Sequence, residues 1–224
     1  DSSYAPALTN LGSIELTTGN KQEALSLLIK ATESDPQLVP AWGNLANGYS
    51  QLNKIAEAEE ACRKSIELNP NLFKSHYLLG AILLEQKKPK EAEQSLRKTI
   101  ELQPDFFQAH LNLGALLKDF GQLEDAEIST RKAIELNPDF AEAHSNLGII
   151  LRDLNQLQEA EISTRKAIDL NPDYAEAHYN LGNILRDIGR LKEAELSLRK
   201  AIKFKPDFAQ AHSNLGNILR DFGK

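Results

Sequence analysis

The sequence predicts an all-α fold, an α-solenoid of antiparallel helix pairs stacked on one another, and three observations predict it. The first is a period. Pro36, Pro70, Pro104, Pro138, Pro172 and Pro206 stand 34 residues apart, and Ala24, Ala58, Ala92, Ala126, Ala160 and Ala194 keep the same interval. The second is punctuation: the prolines all fall where helices would begin or end, and Gly19, Gly121, Gly189 and Gly223 fall at one shared phase between them. The third is the absence of any hairpin that could bury its own apolar stripe, so that neighbouring units must cover one another.

With Ala5 as position 1, six units cover 5–38, 39–72, 73–106, 107–140, 141–174 and 175–208. Residues 209–224 read as the first helix of a truncated seventh, and 1–4 as the tail of a preceding one. No methionine is present, even at position 1, and both ends are expected to be cuts inside a longer array.

Each unit reads as two helices. Pro6, Pro40 and Pro89 belong to first turns, where a missing N–H has no helical partner to lose. The glycine phase, position 15, calls for a left-handed residue ending the first helix; Asn53 and Asn155 suit it nearly as well, and Lys87 is the exception. Asp105, Asp139, Asp173 and Asp207 precede first helices with Gln or Glu three residues later, the spacing of a capping box. Glu93, Glu127, Glu161 and Glu195 lie four residues before Arg97, Arg131, Arg165 and Arg199, a pairing expected within second helices. Glycine at position 8, inside the first helix, costs about 1 kcal/mol against alanine. The expected compensation is close approach of the paired helix at its own alanine, position 20.

Composition narrows the function. The 224 residues are 41% hydrophobic and 26% charged, with a net charge of −6 and no basic block, which argues against nucleic acid or an anionic membrane as partner. No apolar run reaches the roughly 18 residues of a membrane span. The single Cys62 excludes an internal disulfide and suits a reducing, cytoplasmic compartment.

A 34-residue unit with Trp or His at position 4, Leu at 7, Gly at 8, Ala at 20 and 27 and Pro at 32 resembles the tetratricopeptide repeat, over almost the whole chain. The departures are mild: Trp stands at position 4 only as Trp42, Ser65 and Thr99 replace Ala at 27, and Cys62 takes a usually larger core position. The resemblance implies a right-handed superhelix whose first helices line a concave groove where protein partners bind.

Helical geometry puts positions 2, 5, 6, 9, 12 and 13 of the first helix on one polar arc. Position 6 on that arc is Asn10, Asn44, Leu78, Asn112, Asn146, Asn180 and Asn214. A side-chain amide donates to C=O and accepts from N–H, so it can read a peptide backbone whatever its side chains. Layers about 10 Å apart would meet every third residue of a strand rising about 3.3 Å per residue. The ladder is similar to the groove of the protein O-linked N-acetylglucosamine transferases, which implies an extended peptide as ligand. Surface polarity copied by duplication is the competing reading. Asn183 and Asn217 add amides at position 9, and Tyr77 and Tyr179 stand at position 5. Tyr77, Leu78, Ala81 and Leu84 make a local apolar patch, either a side-chain pocket or a tighter stretch of solenoid. Arg152, Asp153, Arg186 and Asp187 at positions 12 and 13 could contact a charged ligand or pair with the neighbouring repeat. Family members that clamp acidic C-termini use lysine at position 5, which is absent here.

No catalytic motif, cofactor loop or metal-ligand cluster is expected. His76, His110, His144, His178 and His212 all fall at position 4, a packing position, and start too far apart to converge on one ion. The chain is therefore expected to be a non-catalytic peptide-binding scaffold. Two alternatives are a docking arm of a larger glycosyl-, methyl- or sulfotransferase, and end-to-end self-assembly through Leu215, Ile218, Leu219 and Phe222 left partly exposed on the last helix.

Overall fold

A computed structural model describes residues 4–221. Among the described residues there are thirteen α-helices and no strand. The chain divides into two compact units, 1–109 and 110–224.

Unit 1 carries three helix pairs: α1 (Ala5–Thr18) with α2 (Lys21–Ser34), α3 (Val39–Gln51) with α4 (Ile55–Leu68), and α5 (Phe73–Glu85) with α6 (Pro89–Leu102). Unit 2 holds α8 (Leu123–Leu136), α9 (Ala141–Asp153) paired with α10 (Leu157–Leu170), α11 (Ala175–Ile188) paired with α12 (Leu191–Phe204), and α13 (Ala209–Asp221). The helix α7 (Phe107–Asp119) spans the boundary. Within the units, α2, α4, α10 and α12 each pack on their own partner and then on the next first helix. Consecutive first helices also touch, α1 with α3, α3 with α5 and α9 with α11; among the described residues of each unit no two consecutive second helices approach to that extent. Within each unit the first-helix face is therefore the tighter one, and the second helices splay.

The chain turns in the same way six times. The N–H of Asn20 bonds the carbonyl of Glu15 at 2.9 Å, and Lys54, Lys88, Gln122, Gln156 and Arg190 repeat the bond to Tyr49, Leu83, Leu117, Leu151 and Leu185. The residue just before each must turn left-handed or sit beside one that does. Gly19, Gly121 and Gly189 do so at φ of 92°, 73° and 90°, and Asn53 and Asn155 follow at 57° and 61°. Lys87 adopts the same conformation at 58° in spite of its Cβ, because the turn that joins α5 to α6 allows no other. Gly223 lies outside the described residues, as do residues 1–3 of the expected N-terminal tail.

Three expectations are corrected. The capping box does not form at α9 or α11: they take Phe140 and Tyr174 as N-caps, with no side-chain cap bond, because Asp139 and Asp173 lie one residue too early. Close approach at position 8 is governed mainly by the side chain of position 24, with the position-20 carbonyl behind it. A Cβ on Gly182 would come within 2.8 Å of Leu198 Cγ and 3.4 Å of the Ala194 carbonyl. Where position 8 is Ala46, position 24 is the smaller Cys62, so the pair keeps its volume. Finally, the last helix is not left bare. Leu215 is 9% exposed and Ile218 fully buried, packed with Leu198, Ala201 and Phe208, and Leu219 is half-buried against the same cluster. Phe222 lies outside the described residues.

Candidate functional site

The position-4 rings hold structure. His76, His144, His178 and His212 place Nε2 at 2.8–2.9 Å from the carbonyl oxygens of Pro70, Pro138, Pro172 and Pro206. A carbonyl only accepts, so each ring carries its proton on Nε2. Trp42 makes the same bond, its indole N–H donating to the Pro36 carbonyl at 2.9 Å. Histidine thus replaces tryptophan by reproducing one donor. Burial pushes the His178 imidazole below its ordinary pKa, against the opposing pull of its bond to Pro172. Cys62 is fully buried, and burial pushes its thiol up to about 12, so it presents no thiolate.

The asparagines of position 6 fall into three situations. Asn10 is exposed, and Asn44 and Asn146 are half-buried; none of these three amides has a hydrogen-bond partner among the described residues. Asn180 Nδ2 donates at 3.0 Å to Ser145 Oγ on the preceding first helix, leaving one N–H and its carbonyl oxygen uncommitted. Asn214 commits both N–H groups, at 2.7 Å to Asn183 Oδ1 and at 3.3 Å to Tyr179 Oη. Its Oδ1 remains the only group it can offer. Asn112 is half-buried on α7.

These bonds also sort the secondary candidates. Asn183 is 7% exposed and supports Asn214, whereas Asn217 is exposed on α13. Tyr179 packs its ring on Phe208 at 4.9 Å while accepting from Asn214, and Tyr77 meets Phe106 edge-on at 4.9 Å. Leu78, Ala81 and Leu84 are half-buried beside it in sequence. The supporting role of Ser145 escaped sequence reasoning. The signal was available: a hydroxyl at position 5 stands 35 residues before the asparagine it holds.

The charged residues at positions 12 and 13 pair mostly among themselves. Arg152 Nε meets Asp187 Oδ2 of the next first helix at 2.6 Å, and Arg186 reaches Asp187 Oδ1 at 3.1 Å. One carboxylate therefore serves two guanidinium groups, while Asp153 stands 4.0 Å from Arg152 and is exposed. On the opposite face the predicted Glu–Arg pairs form within α6, α8, α10 and α12 at 2.7–2.8 Å. Ion pairs also bridge second helices, as Arg131 does to Glu159 at 2.9 Å and Arg190 to Glu161 at 2.7 Å. In unit 1 the Glu59 carboxyl is pushed up by burial, but hydrogen bonds from Arg63, Gln86 and Lys88 overcome that and bring it down to about 2. Among the described residues no helix is long and apolar enough to cross a membrane.

The geometry agrees with known proteins. Tetratricopeptide repeat models match residues 5–38, 39–72, 61–94, 95–128 and 130–162, and a model described as TPR repeat matches 149–185 and 182–221. A search of curated protein sequences finds no match. Among solved structures, YrrB, described as a TPR protein with an unusual peptide-binding site, is 26% identical with a TM-score of 0.70, over 83% of this chain and 96% of that one. PilF of Pseudomonas aeruginosa superposes with a TM-score of 0.83 at 20% identity, covering 96% of this chain and 98% of its own. A chain of the Cut9–Hcn1 hetero-tetramer of the APC/C gives 0.82 at 20% identity, 96% of this chain corresponding to 42% of it. With family models matched along nearly its full length, this chain belongs to the tetratricopeptide repeat family.

Proposed function

We propose that this chain is a non-catalytic scaffold that holds an extended polypeptide on its first-helix face, reading the peptide backbone through the amides of position 6. The observation that carries this reading is the state of those amides. Asn10, Asn44 and Asn146 have both donor and acceptor uncommitted, and Asn180 and Asn214 keep a carbonyl oxygen without a partner. An amide left without a partner on a folded surface is a group that a ligand can satisfy.

The bonds from Asn180 to Ser145 and from Asn214 to Asn183 and Tyr179 add a second element. They fix two side chains before any ligand arrives, so less rotamer entropy is lost on binding. Asn214 then acts as an acceptor alone, matched to a peptide N–H, while Asn146 and Asn180 can also meet a carbonyl. The peptide-binding site described for YrrB, a neighbour at 26% identity, supports a peptide as the class of ligand.

The experiment selects peptides on the wild-type chain from a random library and measures one by fluorescence anisotropy. Combined Asn112→Ala, Asn146→Ala and Asn180→Ala substitutions are expected to weaken it at least tenfold while circular dichroism shows the helical fold retained. N-methylation of alternate peptide nitrogens should weaken it equally. Undiminished affinity in both cases would refute backbone reading.

A further inference from the structure

We propose that the second-helix face of unit 2 docks an acidic amphipathic helix, placing one apolar side chain in each cleft between successive second helices. Ile128, Ile162 and Leu196 hold the same place on α8, α10 and α12, 34 residues apart, and are 68%, 70% and 62% exposed. In unit 1 the corresponding residues are Ser26, Glu60 and Gln94, so the fold itself has no need of an apolar group here. Ile162 lies on a cleft of about 530 Å³ with Ile134, Leu147 and Leu151 in its walls. Leu196 lies on the next, about 320 Å³, with Ile168, Leu181 and Leu185. Both clefts exist because the second helices splay while the first helices close ranks.

Charge complementarity identifies the occupant. The lysine of position 26 is neutralised three residues later on α4, α6 and α8, by Lys64–Glu67 at 3.0 Å, Lys98–Glu101 at 2.6 Å and Lys132–Glu135 at 2.7 Å. On α10 the acid is Asp169, one methylene shorter, and on α12 it is replaced by Lys203. Lys166 and Lys200 accordingly line the two clefts, exposed and without an ion pair among the described residues. Asp169 lines the second cleft too, and the formal charges of each lining balance; what each cleft offers a carboxylate is one lysine, Lys166 or Lys200, that no ion pair among the described residues occupies. The arginines and glutamates around them are already paired with each other.

The same walls exclude an extended strand. No side-chain amide lines either cleft, and the Ser163 hydroxyl already donates to the His144 carbonyl at 3.0 Å. A strand would bring backbone groups that nothing satisfies, whereas a helix satisfies its own. Helix layers stack about 10 Å apart, and seven residues of helix rise about 10.5 Å. One apolar residue every seventh therefore enters each cleft, with a carboxylate four residues later to meet each lysine.

The probe is a fluorescein-labelled 22-residue synthetic helix with leucine at every seventh position and glutamate four residues after each, titrated with the full chain. Saturable binding is expected, weakened at least tenfold by Ile162→Glu with Leu196→Glu. Lys166→Glu with Lys200→Glu should weaken it to a similar degree, and a peptide with lysine in place of glutamate should restore it. All four side chains are exposed, so melting temperatures should hold. Asn146→Ala should leave this affinity unchanged, which separates the two faces. Absence of binding, or an affinity in either double variant equal to that of the wild type, overturns the proposal. So does a wild-type dimer in sedimentation that Ile162→Glu with Leu196→Glu dissociates, since a second copy would then occupy the face.

Discussion

Thr164 lays its buried hydroxyl against Gly148, and that hydroxyl has no hydrogen-bond partner among the described residues. The contact decides what alanine would do at position 8. Replacing Gly148 gains about 1 kcal/mol of helix propensity but drives a methyl into Thr164 Oγ1 and the Ala160 carbonyl, 3.3 Å away. Overpacking of this kind costs about 1–3 kcal/mol. Gly148→Ala should therefore lower stability on balance. At Gly216, where a Cβ would meet nothing within 4 Å, the same change should raise stability by up to about 1 kcal/mol. Urea midpoints of the two variants, measured side by side, should move in opposite directions.

The Glu59 carboxyl gives unit 1 an acid-sensitive tie between α4 and α6. Its folded pKa of about 2 lies below the ordinary 4.5, so the unfolded chain takes up the proton first as pH falls. The stabilisation is complete above 4.5 and is lost as pH drops through 2. Wild type should lose stability steeply between pH 4.5 and pH 2, and Glu59→Gln, already lacking the charge, should show a shallower slope. Chemical denaturation across that range reads the difference.

His178 works in the same direction at higher pH. Its pKa is lowered in the folded chain, so the unfolded chain binds the proton more readily below the ordinary 6.5. The stabilisation from the neutral ring is complete above 6.5 and falls as the solution is acidified. His178→Phe keeps a ring to face Phe204, now 5.4 Å away in a stacked arrangement, but removes the donor to the Pro172 carbonyl. It should cost about 1 kcal/mol at neutral pH and flatten the fall in melting temperature between pH 7 and pH 5.5.

Much of the fold was legible because repetition multiplies weak signals. One proline is a hint; Pro70 and Pro172 in the same phase as four others fix a boundary. Gly19 and Asn53 announced their left-handed turns by residue type, while Lys87 was legible only by its place in the series. The capping box failed because spacing alone does not say where a helix starts, and Asp139 falls a residue short. The face was harder. Asn146 and Asn214 look identical in the sequence, yet one is uncommitted and the other is clasped by Asn183 and Tyr179, a difference that arises only when neighbouring helices meet. Ile162 and Leu196 are two apolar residues among many in the second helices, and only packing reveals that they face water.

The unequal spacing of the two helix rows has a mechanical consequence. First helices are joined edge to edge by direct packing, while second helices are tied by bridges such as Arg131–Glu159 and Arg63–Glu91, whose side chains stand about half in solvent. Exposed bridges are each worth about 0–1 kcal/mol and weaken with added salt. Each unit is thus stiff along one edge and compliant along the other, like a fan whose ribs are pinned at the base. Added salt should therefore loosen the second-helix edge before the first-helix edge.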